Sequence, residues 1–348
     1  MTKSIQKNNK KKIRVKIIAE VGVNHNGSFQ TAKKIIKKLS VLDIDYIKFQ
    51  LGNPDQIYSK DSFKADYQKK FYSQESIKDL SKKFQLTMKQ HLLLKKFCKK
   101  FGMIYSCTAF DLKSLVFLVN KLNIPFIKIA SGEITSIDLL EYAARQEKKI
   151  LLSTGMATYE DIKNALKILK KYKKKEIIIM HCTSVYPARD QFLNMNVLDE
   201  LKKRFNLQLG YSDHSLNDLA SLAAVSKNVK FIEKHVTLNK RSKGPDHVAS
   251  YNIKEFKNYV ENIRKLEIIL GSEYKIFSKE ENQIKKMARK SVVSNVDIYK
   301  NNKISIKDIT FKRPGTGVSP LDYKKVLRSK LRINLKKDKV ITKNMLKY

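Results

Sequence analysis

Two histidines stand at the ends of consecutive apolar runs in the second half of the chain. His214 follows the run 208–212, and His235 closes the run 231–235. If these runs are neighbouring strands, about 4.8 Å apart, both imidazoles can bind one cation and leave sites for water and a substrate oxygen. Two histidines with oxygen ligands suit Mn²⁺, with Mg²⁺ or Co²⁺ as alternatives. The other interpretation is that each is a hydrogen-bonded structural histidine, and spacing alone favours neither.

A second group of residues predicts an anion site. Lys48 and Lys128 lie inside apolar runs, and a buried lysine is unfavourable unless it meets an anion. Hydroxyl side chains stand at the same level of neighbouring runs, at Thr108, Ser131, Ser153 and Ser212. Two cations with several hydroxyls describe a site for phosphate and carboxylate groups. The competing interpretation is a structural salt bridge from each lysine to Glu20, Glu133 or Glu233.

The remaining ionisable residues indicate a function less specifically. Glu20 and Glu133 are candidates for an acid–base pair, unless each simply pairs with a lysine. We interpret His25 and His181 as structural residues and His91, in a helical stretch, as a surface residue. The three cysteines form an odd count without CxxC spacing, which fits a reducing compartment and argues against a disulfide framework or a zinc ribbon.

The elements that must position these residues alternate along the chain. Eight short β-rich apolar runs are predicted as strands, at 15–23, 46–50, 103–108, 126–131, 150–154, 177–183, 208–212 and 231–235. Stretches with helical periodicity separate them. Eight strand–helix units in about 250 residues favour an α/β fold of the TIM (β/α)₈ barrel type, with the polar strand ends gathered at its C-terminal face. A doubly wound sheet is the alternative, but the turn 22–27 lacks the GxGxxG pattern.

Composition bounds the class of protein. The 348 residues carry a formal net charge of +39, mostly from lysines spread along the chain. No RNA- or DNA-binding motif accompanies this charge, so we expect no nucleic-acid partner; a basic nucleic-acid-binding protein is the rival outside enzymes. No apolar run reaches the roughly 18 to 20 residues of a membrane span. Residues 1–12 lack the apolar core of a secretory signal, so we expect a disordered basic tail and a cytoplasmic protein.

The C-terminal region predicts a second, smaller domain. Residues 276–286 are charged and weakly patterned, as in a linker. Short strand-like runs follow at 291–296, 304–309, 331–334 and 340–341. About 65 residues make a thin core alone, so packing against the barrel of either subunit is expected. Arg313 stands in a projecting Arg-Pro-Gly-Thr-Gly turn and is either functional or an ordinary surface residue.

These segments resemble the sialic acid synthase family, in the family's order from about residue 13 to residue 348. The matching motifs are IIAEVGVNHNGS (17–28), IKFQ (47–50), KADYQ (64–68), IKIASGEIT (127–135), LLSTGMAT (151–158), HCTSVYPA (181–188), LGYSDHS (209–215), FIEKHVTL (231–238), GPDHVAS (244–250), ARKSVV (288–293) and KRPGTGVSP (312–320). The EVGVNHNG form is closer to the sialic and legionaminic acid synthases than to the pseudaminic branch.

The resemblance implies a TIM-barrel synthase domain over 13–275 and a small, mostly-β SAF (antifreeze-like, β-clip) domain over 287–348. It implies a domain-swapped homodimer in which each SAF domain caps the partner's barrel. The implied reaction is a transferase reaction that condenses phosphoenolpyruvate with open-chain N-acetylmannosamine and water, giving N-acetylneuraminate and phosphate by C–O cleavage. A legionaminic acid synthase acting on 2,4-diacetamido-2,4,6-trideoxymannose is the alternative, and a metal-dependent aldolase is a remote one.

The resemblance also implies roles for individual residues. His214 and His235 would be the metal ligands. The residues around phosphoenolpyruvate would be Lys48, Gln50, Thr108, Lys128, Ser131, Ser153, Ser212 and Ser184, the last at a position where family members often carry asparagine.

The sugar half of the site is implied in the same way. The residues that would hold the sugar are Gln50, Tyr186 and Asp246, with Arg313 of the partner subunit reaching the N-acyl group. Glu133 would position or deprotonate reacting groups, and Glu20 would lie near the metal and the aldehyde. The loop 52–68 is expected to shape the sugar pocket.

Overall fold

The computed structural model of the protein describes residues 14–64, 75–172 and 176–347. The predicted tail over 1–12 and residues 65–68 of the KADYQ motif, which end the predicted sugar loop, lie outside the described residues. Between Gly271 and Ser272 the chain divides into two compact units. None of the described helices is both long and apolar enough to cross a membrane.

Eight parallel strands form the centre of the first unit. They are β1 Lys16–Gly22, β2 Tyr46–Leu51, β3 Ile104–Ala109, β4 Phe126–Ile129, β5 Lys149–Ser153, β6 Ile177–Cys182, β7 Gln208–Asp213 and β8 Phe231–Thr237. Neighbouring strands pair in the order β3-β2-β1-β8-β7-β6-β5-β4, and the two ends of this path, β3 and β4, contact each other. The sheet is a nearly closed barrel, which confirms the predicted TIM-barrel fold.

Helices alternate with the strands and pack against them. They are α1 Phe29–Leu39, α2 Pro54–Ile57, α3 Ile77–Phe84, α4 Met88–Lys100, α5 Leu112–Asn120, α6 Ile137–Arg145, α7 Tyr159–Leu169, α8 Val197–Phe205, α9 Leu219–Ser226 and α10 Ile253–Leu270. The two-residue strand β9, Tyr251–Asn252, pairs with the end of β8. In α1 the Ser28 side chain accepts a hydrogen bond from the Thr31 amide, and the buried residues recur at helical spacing.

The side chains inside the barrel change from apolar to charged along the strands. One end is filled by an apolar layer of Ile18, Phe126, Leu151, Ile178, Met180 and Phe231. Side chains alternate between the two faces of a strand, so the next inward position lies two residues further on. On β1, β4 and β8 those positions are Glu20, Lys128 and Glu233, all buried. The apolar layer therefore supports a charged layer at the C-terminal ends of the strands.

His91 corrects one sequence-based interpretation. It is fully buried on α4 rather than on the surface, and its Nδ1 lies 2.6 Å from the Tyr105 hydroxyl. The buried residues of α4 are His91, Leu94 and Cys98. These positions are three and four residues apart, so His91 belongs to the stripe that faces the barrel.

The second unit is small and contains short elements. They are α11 Lys279–Ala288, β10 Ser291–Ser294, β11 Ile309–Lys312, α12 Tyr323–Leu327, β12 Lys330–Leu331 and β13 Leu346–Lys347. Strand β10 pairs antiparallel with β11, and β12 with β13. Most of the predicted linker, 279–286, is helical, and its role as a linker between domains stays a prediction. The strand predicted over 304–309 is wrong, since a 3₁₀ turn, Ile306–Asp308, precedes β11.

Candidate active site

Four charged side chains meet inside the barrel at the C-terminal ends of β1, β2, β4 and β8. Glu20 and Lys48 face each other across β1 and β2 in register. All four of Glu20, Lys48, Lys128 and Glu233 are at most 5% exposed. A buried cluster of this size requires internal pairing, because each unpaired charge would lose its hydration without compensation.

The pairing is a chain in which Glu233 joins the two lysines. The Lys48 ammonium lies 2.8 Å from Glu20 Oε2 and 3.6 Å from Glu233 Oε2, and it donates to Thr108 Oγ1 at 2.9 Å. Lys128 donates to both oxygens of Glu233, at 2.9 and 3.1 Å. The salt-bridge interpretation therefore describes the ligand-free cluster. The anion site stays a prediction, for which the same ammonium groups are the candidates.

The two carboxylates titrate in opposite directions. Burial raises the pKa of Glu20 to about 7, and the neighbouring Glu233 adds to this against the opposing effect of Lys48. Burial alone would also raise the pKa of Glu233, but Lys128 and Lys48 outweigh it and hold that pKa well below its usual range. At neutral pH the cluster thus contains one firmly ionised carboxylate and one that exchanges a proton, an arrangement suited to acid–base chemistry.

His214 and His235 lie together beside this cluster. Their ring centroids are 5.5 Å apart. His214 Nδ1 donates to the Thr183 carbonyl at 2.7 Å, so in the neutral ring Nε2 carries the lone pair. That Nε2 is 3.5 Å from Ser212 Oγ, and Ser212 in turn donates to Glu233 Oε1 at 3.0 Å. The histidine pair and the charged cluster are therefore one continuous site.

The donor set of this pair fits a divalent metal. Burial lowers the pKa of His214 to about 4, and burial together with His214 lowers the pKa of His235 well below its usual value. Both rings are neutral at pH 7, as ligation requires. His235 Nδ1 is buried without a hydrogen-bond partner, 3.7 Å from Asp246 Oδ2. In the part of the chain that the structure describes, no third His, Cys, Asp or Glu joins the pair in a metal-binding group.

The predicted sugar-binding residues border the histidines. The Tyr186 ring centroid is 4.2 Å from that of His214 and 5.7 Å from that of His235. Asp246 is buried, which raises its pKa to about 6. Gln50 donates to Glu20 Oε1 at 2.8 Å. These three residues thus lie beside the histidines and Glu20.

Small polar groups cluster after β4, β5 and β6. Ser131 Oγ accepts a hydrogen bond from the Gly155 amide at 3.1 Å and lies 3.1 Å from Cys182 Sγ. A Cβ atom on residue 155 would come within 2.2 Å of Ser184 Oγ and 2.9 Å of Ser131 Oγ. A larger residue at position 155 would therefore force these hydroxyls to move. Ser153, at the end of β5, is buried as well.

Glu133 and Arg313 are predicted site residues whose recorded hydrogen bonds are to other parts of the chain. Glu133 is paired with Ser136 and lines a cleft of about 720 Å³ with Asp111 and Asp138. Its contacts in the described structure do not include Lys48 or Lys128, so the alternative in which Glu133 simply pairs with a lysine finds no support there, and its acid–base role with Glu20 stays a prediction. Arg313 is an exposed residue of the second unit, where its Nε donates to the Ala288 carbonyl at 2.8 Å.

Sequence reasoning undervalued Glu233, which it considered only as a salt-bridge partner. The signal was present in the alternation of the strand. Glu233 stands two residues before His235, as Ser212 stands two residues before His214, so each pair shares the inward face. Lys234 and Asp213, in between, must face outward.

Comparison with known proteins identifies the families to which the two parts of the chain are similar. The NeuB family model matches residues 35–275, and the SAF domain model matches 289–347. The chain is 40% identical to the N,N'-diacetyllegionaminic acid synthase of Campylobacter jejuni over 328 residues, which cover 93% of this chain and 98% of that protein. It is 36% identical to the synthase of the same name from Legionella pneumophila over 324 residues, covering 92% and 91%.

A solved structure agrees with these relatives. The N-acetylneuraminic acid synthetase of Leptospira borgpetersenii, in complex with citrate, matches with a TM-score of 0.70 and 31% identity, covering 78% of this chain and 90% of that chain. Fold and relatives thus define the class as that of the sugar-acid synthases. The chain belongs to the NeuB family and ends in a SAF domain, which confirms the resemblance seen in the sequence.

Proposed function

We propose that the protein is a nonulosonic acid synthase, which joins phosphoenolpyruvate to an open-chain N-acylated amino sugar and releases phosphate. The observation that carries this proposal is the continuous site at the barrel mouth. There, two neutral buried histidines adjoin two lysines and several hydroxyls. The first group suits a divalent metal and an aldehyde, and the second suits an anionic phosphate ester.

Phosphoenolpyruvate would bind to the lysines and hydroxyls. An ammonium group has three N–H donors, and the contacts of Lys128 in the described structure are both to Glu233. Lys128 therefore keeps capacity for a substrate anion while Glu233 holds it in place. Lys48 and Thr108 would extend the anion site on one side. The other side of the anion site would be lined by the hydroxyl groups of Ser131, Ser153, Ser184 and Ser212.

The sugar would bind on the histidine side. His214 and His235 would hold a divalent ion, Mn²⁺ or else Mg²⁺ or Co²⁺, which would supply Lewis acidity for the aldehyde. Tyr186, Asp246 and Gln50 orient the open-chain sugar. Glu20, with its pKa near 7, gives a proton to the aldehyde oxygen as the methylene carbon of phosphoenolpyruvate bonds to the aldehyde carbon.

Water completes the reaction at the former enol carbon. It adds there and loses one proton; the new hydroxyl loses its proton as the C–O bond to the phosphate breaks, which leaves a keto group on that carbon, and the bridging oxygen leaves with the phosphate. Lys48 and Lys128 stabilise the carboxylate and the departing phosphate throughout. The role of Glu133 in positioning or deprotonating reactants rests on the resemblance alone; in the described structure that side chain pairs with Ser136 and lines a cleft with Asp111 and Asp138.

The particular sugar is the finer part of the proposal. Sequence analysis put N-acetylmannosamine first and 2,4-diacetamido-2,4,6-trideoxymannose second. The relatives from Campylobacter and Legionella, at 40% and 36% identity, are named for N,N'-diacetyllegionaminic acid, and they favour the diacetamido sugar. The Leptospira protein, at 31% identity, is named for N-acetylneuraminic acid and keeps N-acetylmannosamine as the second candidate.

The proposal retains the domain-swapped homodimer of the resemblance. Arg313 is exposed in the second unit, so a neighbouring subunit can meet it. In this arrangement Arg313 of the partner subunit would bind the N-acyl group of the sugar. A monomer would then bind metal and phosphoenolpyruvate but turn over poorly.

The test offers both sugars at equal concentration, with phosphoenolpyruvate labelled with ¹⁸O in the bridging position. We expect phosphate release that depends on sugar and metal, ¹⁸O in the phosphate, and by mass spectrometry mainly the diacetamido product. A larger N-acetylneuraminate peak would reverse the order of the two sugars. Cleavage of the nine-carbon product without phosphate chemistry would instead favour an aldolase.

A further inference from the structure

A second buried ion pair lies on the outer face of the two strands that carry the histidines. Asp213 of β7 and Lys234 of β8 are register partners. Lys234 Nζ lies 2.9 Å from Asp213 Oδ2, and both side chains are fully buried. Each residue immediately precedes one of the two histidines. The ion pair therefore links the strands at the level where the two imidazoles begin.

The same pair also holds the turn that follows His214. Asp213 Oδ1 accepts from the Ser215 amide at 2.9 Å, and Lys234 donates to the Ser215 carbonyl at 2.6 Å and the Asn217 carbonyl at 3.5 Å. Both backbone groups of Ser215 are thus bound by the pair. Since Ser215 is the residue after His214, the backbone of that histidine is fixed on both sides.

Lys234 is not a candidate for binding substrate. Its three N–H donors have three protein acceptors, Asp213, Ser215 and Asn217. Its Nζ also lies 4.3 Å from the Tyr251 ring centroid and 5.7 Å from that of Tyr259, on the side of β8 that faces α10. No donor capacity remains for a ligand, in contrast to Lys128 inside the barrel.

A contribution to folding stability is not a sufficient reason for a buried ion pair at this place. The desolvation of two fully buried charges offsets most of their attraction, and a well-packed apolar pair often serves equally well. What a charged, fully hydrogen-bonded pair adds is a fixed register between the strands and a fixed turn. Both matter for two imidazoles that must meet at one ion, because groups that orient metal ligands set metal affinity.

We propose that Asp213 and Lys234 are positioning residues that set the spacing of His214 and His235 for metal binding. This inference rests on the metal site of the proposed function. It predicts that loss of the pair weakens metal binding while the anion site, built from Lys48 and Lys128, keeps its affinity for phosphoenolpyruvate.

The experiment compares full-length variants. Lys234→Met leaves the Asp213 carboxylate buried without its cation, so reduced thermal stability is expected for that reason alone. The decisive variant is the neutral double substitution Asp213→Asn with Lys234→Met. The matched control is Ser221→Ala, since Ser221 donates to the same Asp213 oxygen at 2.7 Å but makes no link between the strands.

Metal affinity is read by electron paramagnetic resonance of free Mn²⁺, with melting temperature, kcat and KM measured alongside. We expect the double variant to fold, to bind Mn²⁺ at least roughly 10-fold more weakly, and to keep the KM for phosphoenolpyruvate. Ser221→Ala should bind Mn²⁺ like the wild type. A folded double variant with wild-type Mn²⁺ affinity overturns the positioning role alone. A wild-type protein that binds no divalent metal overturns the metal assignment of the proposed function, and this inference with it.

Discussion

Two buried clusters of charge lie on opposite faces of the barrel sheet, and strand β8 contributes a residue to each. The inner cluster contains Glu20, Lys48, Lys128 and Glu233, and the outer one is the pair Asp213–Lys234. In the outer pair every lysine donor has a protein acceptor. The inner cluster keeps donor capacity, holds a carboxylate with a pKa near 7 and adjoins a histidine nitrogen without a partner. Incomplete pairing in a buried position thus distinguishes a site for a ligand from a structural device.

The largest effect should come from removing one histidine of the inner face. His235→Ala is expected to lower metal-dependent turnover on the order of 10³-fold, because the Lewis acid loses a ligand. Steady-state assays with added Mn²⁺ check this. His91→Gln, which changes a buried histidine outside the barrel, serves as the control and should keep turnover per folded molecule. Near-wild-type activity of His235→Ala in chelator-treated buffer would contradict the metal assignment.

A smaller effect is expected from the inner lysine that retains free donors. Lys128→Met should raise KM for phosphoenolpyruvate on the order of 10²-fold, since it removes a buried charge that meets the substrate anion. The control is Lys149→Met, because Lys149 pairs with Glu176 in a partly exposed ion pair and should leave KM unchanged. If Lys128→Met lowers only the melting temperature, the inner lysine is structural like the outer one.

Glu20 should give the site its pH dependence. With its pKa raised to about 7 and the protonated form acting as the acid, kcat/KM should fall about tenfold per pH unit above 7. The high-pH limb should disappear in Glu20→Gln, at a lower overall rate. The measurement is a pH profile from 6 to 9, with phosphoenolpyruvate well below KM. A wild-type profile that stays flat from pH 7 to 9 would remove Glu20 from this role.

The smallest effect concerns the pH dependence of the free energy of unfolding, through His91, which is buried on α4 outside the barrel. Burial lowers the pKa of His91 to about 3, whereas in the unfolded chain the pKa is near 6.5. Above pH 6.5 the ring is neutral in both states and does not affect the free energy of unfolding. Below pH 6.5 the unfolded chain binds a proton that the folded state does not, so the free energy of unfolding decreases as pH falls towards 3. Chemical denaturation at pH 7 and 5 should therefore show a smaller pH difference for His91→Gln than for the wild type. An equal difference would mean that His91 does not titrate on unfolding.

Much of this molecule was readable from the chain. All eight predicted strands are present, with ends that differ by no more than two residues, because β-rich apolar runs and helical periodicity report burial directly. His91 was misjudged since a single histidine gives no sign of the stripe it belongs to. Glu133 was left open between an acid–base role and a lysine partner; the chain leaves β4 in a 3₁₀ turn, Ser131–Glu133, and the side chain pairs with Ser136.

By itself, the sequence determined the barrel, the family and the histidine pair, since period-two and period-3.6 patterns and ordered motifs are local properties of the chain. Only the tertiary structure decided which charges meet. Lys48 could have paired with any of three glutamates, and register across β1, β2 and β8 selected Glu20 and Glu233. The partners of a charged side chain inside a barrel depend on strands that are far apart in sequence. Closure of the barrel also buries Glu20, and this burial raises the pKa of Glu20 to about 7.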